Sequence, residues 1–125
     1  MNEAPKLSER QVQRAIELPF PHKYLWPNGR THWRLSAPKK KLHREWARLA
    51  TLAAYPNGTG GTVNIVYTVY AKPRGPFPDY DNTLAAMKSY QDGIADALGL
   101  NDRHFRLAKV VFGGRCDDGK VVVSL

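Results

Sequence analysis

Val63-Asn64-Ile65-Val66-Tyr67-Thr68-Val69-Tyr70 places Val63, Ile65, Tyr67 and Val69 on one side of an extended chain and Asn64, Val66, Thr68 and Tyr70 on the other. One face is strongly apolar and the other mixed, the pattern of a strand with a packed side. Upstream, Tyr55-Pro56-Asn57-Gly58-Thr59-Gly60-Gly61 breaks the chain. It reads as a connecting loop rather than a phosphate cradle, because no Lys-Ser/Thr follows the glycines. Before that loop, Ser36-Ala37-Pro38 is a helix start, and a helix is expected to run to about Ala54. Its expected apolar face is Leu42, Trp46, Leu49 and Ala53, with Lys41, Arg44 and Arg48 on a separate cationic stripe. A first strand lies within 15–20, and a Pro/Gly-punctuated loop from Pro21 to Gly29 delivers Arg30, His32, Trp33 and Arg34.

Downstream, Pro73 to Pro78 leads into Asp79-Tyr80-Asp81-Asn82 and a second helix. Asp81 or Asn82 is its expected cap, Leu84, Met87, Ile94 and Leu98 its inward side, Gly93 its weak point and Gly99 its stop. Phe105 to Phe112 and Lys120 to Leu125 read as two more strands, joined as a hairpin by a turn at Asp117-Asp118-Gly119. The expected order is β-α-β-α-β-β: an α+β fold with a small mixed sheet and helices packed on it. Its 125 residues suit one domain spanning 1–125, with 1–12 a mobile arm or a short helix. No run is long and apolar enough for a membrane span or a signal peptide, so the expected location is the cytosol, away from membranes. The single cysteine, Cys116, excludes an internal disulfide and a cysteine-based zinc site.

The formal net charge is +8 and unevenly spread. Residues 1–60 hold 11 Lys/Arg against 4 Glu, whereas 61–125 hold 8 Lys/Arg against 7 Asp. A basic half attracts phosphate backbones without reading sequence. The acids concentrate elsewhere: Asp79 and Asp81, at alternate positions of an expected extended segment, project to one side and suit a hard cation such as Mg²⁺. Their bland reading is an ordinary turn and helix cap. Asp102 adds a third acid. Lys88, Asp92 and Asp96 read as a surface ion-pair ladder, Asp117 and Asp118 as turn residues, and His43 as a partly exposed helix residue. His32 and Trp33, between Arg30 and Arg34, suit stacking on a nucleotide and contact with phosphates.

Taken together, Asp79-Tyr80-Asp81-Asn82, a downstream helical lysine and Asn101-Asp102 resemble the active-site motif of the RusA-type Holliday junction resolvases, common in phages and prophages. The resemblance covers most of the chain: 25–33 is similar to the family's N-terminal segment, and 91–98 to the helix leading to its last acid. It implies a Mg²⁺-dependent homodimeric endonuclease, with Mn²⁺ as a substitute ion, that makes paired nicks in four-way junction DNA. Asp79, Asp81 and Asp102 would be its catalytic and metal-binding acids, and Lys88 would offset charge in the transition state. Arg30, His32, Trp33, Arg34, Lys41, Arg44, Arg48 and Arg74 would face DNA. Two positions depart from the family pattern: Ala85 stands where it has lysine, and Asn101 where it has an acid. The same chemistry serves flaps, forks or RNA, and loss of activity through Ala85 and Asn101 would leave a non-catalytic DNA-binding protein. A continuous helix from Thr83 to Leu98 spans about 24 Å, so Asp102 reaches Asp79 and Asp81 only if the helix stops near Gly93 or a second subunit supplies it.

Overall fold

The computed structural model describes residues 15–125, with the side chains at 102 and 106 outside the description. The arm expected over 1–12 therefore lies outside the described residues. Strand β1 (Ile16–Pro19) is followed by 3₁₀ turns at Lys23–Leu25 and Pro27–Gly29, then by helix α1 (Trp33–Ala54) and strand β2 (Val63–Ala71). Helices α2 (Tyr80–Ala86) and α3 (Lys88–Leu98), a 3₁₀ turn at Asp102–His104, and strands β3 (Phe105–Arg115) and β4 (Lys120–Ser124) complete the order. The result is a small single-domain α+β fold with a four-stranded mixed sheet and, among the described residues, three helices. No helix of the described residues is long and apolar enough to cross a membrane.

The sheet order is β1-β4-β2-β3. β2 runs parallel to β3, with Tyr67 opposite Val110, and antiparallel to β4, with Tyr67 opposite Val123. The hairpin expected between β3 and β4 does not form. The Asp117-Asp118-Gly119 turn is there, with Gly119 at φ 66°, but it carries the chain over the end of β2, where the Cys116 N–H donates to the Ala71 carbonyl. β4 then enters on the far side of β2. Packing accounts for the choice: both ladder edges of β2 are filled, and Val121 and Val123 are buried beside Ile65, Tyr67 and Val69.

The first helix departs from expectation in start and in face. It begins three residues early at Trp33, where the His32 Nδ1 accepts from the Arg34 N–H, and Pro38 lies inside it. Its buried residues are Ser36, His43, Ala47 and Thr51, whereas Leu42, Trp46, Leu49 and Ala53 face outward. Around Ala47 the inward face must be small because α3 comes very close: a Cβ on Gly93 would lie 2.1 Å from the Arg44 carbonyl oxygen and 2.9 Å from the Ala47 Cβ. Gly93 is thus the contact that seats α3 on α1, not a weak point. The Arg44 guanidinium bonds the Asp96 carboxylate through both groups, at 2.6 and 2.8 Å, across the same junction. Asp96 therefore ties two helices together, while Lys88 and Asp92 form the expected pair at 2.9 Å.

His43 is likewise buried instead of partly exposed. Its Nδ1–H donates to the Lys39 carbonyl at 2.7 Å, which leaves Nε2 to accept from the His22 N–H at 3.1 Å. The ring thereby pins the loop after β1 to α1. Burial is the largest cause of a pKa pushed below the ordinary 6.5; it outweighs the opposing hydrogen bond to the Lys39 carbonyl, and the charges of nearby His22 and Lys39 add to the lowering. An unfolded chain takes up this proton near pH 6.5 and the folded chain only at lower pH, so His43's contribution is complete above that value and drains as pH falls below it. Urea unfolding of His43→Gln should show lower stability at pH 7.5 and a shallower loss between pH 7 and 5 than the unaltered chain.

Candidate active site and cationic groove

Asp79 is the cap of α2, in place of the expected Asp81 or Asn82. One carboxylate oxygen accepts from the Asn82 backbone N–H and the other from the Asn82 side-chain amide, both at 2.8 Å. These two bonds hold its pKa below the ordinary carboxylate value, so the group stays ionised, with a further lone pair open on each oxygen. Asp81 is exposed in the first turn of α2. The two acids therefore do not alternate along an extended strand: Asp79 caps the helix and Asp81 sits in its first turn, two positions apart, where helical side chains do not face each other. Tyr80, between them, accepts through its hydroxyl from the Val110 N–H on β3. Phe77 packs edge-on against Phe112, with ring centroids 5.1 Å apart. Together these contacts seat the start of α2 beside the second half of β3.

The α2–α3 path also differs from the expected single helix. It breaks at Met87, whose N–H is shared between the Thr83 and Leu84 carbonyls, and α3 continues through Gly93 to Gly99 in the left-handed conformation. The backbone of Asp102 opens the 3₁₀ turn before β3, while its side chain lies outside the described residues. Because β3 is parallel to β2, the chain must return to the starting end of the sheet before β3 begins. Phe105 precedes Val110 by five residues, about 16 Å along a strand, and Asp102 is farther still. Among the described residues no three His, Cys, Asp or Glu side chains are grouped to hold a metal ion.

Asp79 lines one of two neighbouring clefts, and Asp81 lines neither. A smaller one of about 410 Å³ is lined by Asp79, Asn82, Lys72, Arg74 and Phe77. A larger groove of about 780 Å³ runs between α1 and the Pro21–Thr31 segment, lined by Arg30, Lys40, Lys41, Arg44 and Lys88 among others. Trp26 lines both. Ala85 and Lys88 share the floor of the larger groove, so a lysine from either position serves the same space. Of the other expected contacts, Trp33 is two-thirds exposed with the Arg34 guanidinium 5.6 Å from its ring, and His32 caps α1. Arg48 is paired with Glu45 on its own helix and lines neither cleft. Sequence reasoning missed Lys40 and Lys72, for the first of which the Lys39-Lys40-Lys41 run was the available signal, and it gave Trp26 and Asn82 no role beyond their places in a motif and a helix start.

The fold and site define a small α+β protein with an ionised, helix-capping aspartate beside a cation-lined groove. No family model matches the chain. It is 35% identical over 120 residues to an uncharacterized protein of Xylella fastidiosa (strain Temecula1 / ATCC 700964), covering 93% of this chain and 77% of that protein. The chain belongs to the family of that protein.

Proposed function

We propose that the chain is a Mg²⁺-dependent, structure-specific endodeoxyribonuclease of the RusA type, acting on four-way junction DNA as a homodimer. The observation that carries this reading is the ionised Asp79, with Asp81 two residues on, in a cleft that also holds Lys72 and Arg74 and shares Trp26 with a groove lined by five cations. Two carboxylates and water are the donor set that Mg²⁺ prefers, and Mn²⁺ accepts the same set. When bound, such an ion polarises water for attack on phosphorus and offsets charge on the departing oxygen. Asp79 and Asp81 would hold it, with Asn82 fixing the orientation of Asp79. Lys72 and Arg74 stand in the same cleft as Asp79, and Lys88 in the adjoining groove, as neutralising groups for phosphate.

Topology bears on the third acid. In one subunit Asp102 lies at the opposite end of the α2–α3 crossover from Asp79, so a three-acid site calls for Asp102 of a partner subunit. β3 is an edge strand of eleven residues, and Leu107, Val111, Tyr80 and Phe77 around it are exposed. An isologous contact there would turn the starting end of one β3 toward the finishing end of the other. The test is a Mg²⁺-titrated cleavage assay on labelled junction, flap, duplex, single-strand and RNA substrates. Paired symmetric nicks on the junction are expected. Preferential cutting of flaps or RNA would reassign the substrate, and salt-sensitive binding without cleavage would make the protein a junction binder, in line with Ala85 and Asn101. Mixed Asp81→Asn and Asp102→Asn subunits should regain part of the activity each lacks alone; proven heterodimers with no cleavage would reject the shared site.

A further inference from the structure

We infer that the groove between α1 and the Pro21–Thr31 segment is the track for a single phosphodiester strand, gripped by Arg30, Lys40 and Lys41; this deepens the nuclease reading and rests on it. The cations of this region divide into two sets. Arg44, Arg48 and Lys88 have their cationic groups committed to Asp96, Glu45 and Asp92, the last of which also lines the groove. Arg30, Lys40 and Lys41 have no ion pair among the described residues, yet all three line the groove. Cations left unpaired at a concave surface attract phosphate oxygens.

Arg30 adds an independent observation. It is the only non-glycine residue at positive φ among the described residues, at φ 51° and ψ 38°. An L side chain is strained there, and glycine or asparagine is the ordinary occupant. The position ends the Pro27–Gly29 turn, where the Arg30 N–H donates to the Pro27 carbonyl, so the backbone requirement is for a turn, not for arginine. Strain held by a residue whose side chain enters a groove points to use of the side chain.

The groove is also built rather than improvised. Its loop wall is anchored by the His22–His43 bond, by the Trp26 indole donating to the Pro21 carbonyl, and by stacking of Phe20 on Trp26. Its floor is small, at Ala85, Ala86 and Ser89, and Tyr24 and Trp26 supply an aromatic wall. A volume of about 780 Å³ suits a few nucleotides of one strand, not a whole duplex. Trp26, shared with the Asp79 cleft, marks where the strand would pass toward the acids.

The strain gives the test a feature that mere charge removal lacks. Arg30→Gly relieves the backbone and removes the cation, so its unfolding midpoint should hold or rise while binding falls. Anisotropy of a labelled four-way junction and of a labelled single strand, in EDTA and between about 50 and 200 mM salt, reads the binding. Arg30→Gly should weaken both by about tenfold and reduce the salt slope by about one; Lys40→Gln/Lys41→Gln should reduce it by about two. Lys120→Gln removes the same charge beside Glu17, outside the groove, and should leave the slope unchanged. Groove variants that bind as the unaltered chain does, or a Lys120→Gln loss equal to that of Arg30→Gly, overturn the track and leave the nuclease reading standing. An unaltered chain that neither binds nor cuts any of these substrates overturns both.

Discussion

Gly93→Ala is expected to unfold the protein more readily than any other single methyl addition to α3. The added Cβ would meet the Arg44 carbonyl oxygen at 2.1 Å and the Ala47 Cβ at 2.9 Å. Neither obstacle is the end of a flexible side chain, so relief requires α1 and α3 to separate. Separation loosens the packing of Ile94 and Tyr90, both fully buried beside β2, and pulls on the Arg44–Asp96 pair. Overpacking that moves backbone costs about 3 kcal/mol or more. For a domain of this size that lowers the unfolding midpoint by more than about 10 °C. Gly99→Ala is the control, since Gly99 has positive φ but open space around its α-carbon, and it should show only the smaller penalty of left-handed strain. Equal midpoints for the two variants would mean that the helices are not in the close contact described.

Asp79→Asn is expected to separate architecture from chemistry. An asparagine oxygen still accepts from the Asn82 N–H, so α2 keeps its start and the unfolding midpoint should stay within about 2 °C. The charge is lost, however, and with it one of the two carboxylates proposed to hold a divalent ion. Mg²⁺-dependent cleavage of a four-way junction should drop by at least about 100-fold, while junction binding in EDTA holds or tightens as an anion leaves the phosphate path. Full cleavage by Asp79→Asn would reduce Asp79 to a helix cap. Loss of binding as well as cleavage would show that the substitution had disturbed the cleft itself.

Much of the scaffold was legible in the chain because it depends on local signals. The alternation from Val63 to Tyr70 marked β2, Gly99 marked the end of α3, and Asp117 to Gly119 marked a turn, each through backbone preferences that neighbours do not alter. What failed had a common cause. Hydrophobicity alone points to Leu42, Trp46 and Leu49 as the inner face of α1, but the helix turns them outward and buries Ser36, His43, Ala47 and Thr51, with room at Ala47 only for a small side chain where Gly93 of α3 approaches. An Asp-Gly turn likewise says that the chain reverses, not which strand it returns to.

The candidate site divides in the same way. Asp79, Asp81, Arg30, Lys41 and Lys88 were all recognisable as chemistry-bearing residues from their types and spacing. Their spatial relations were not: Asp79 as the ionised cap held by Asn82, Asp102 at the far end of a parallel crossover, and Arg44 diverted to Asp96 all follow from packing. By itself, then, the amino-acid order determined which segments extend, coil or turn and which side chains carry charge, since those properties reside within a few neighbouring residues. Tertiary structure alone decided which helix face is buried, where β4 joins the sheet and which cations remain unpaired in the groove, because each depends on contacts between segments dozens of residues apart competing for the same space.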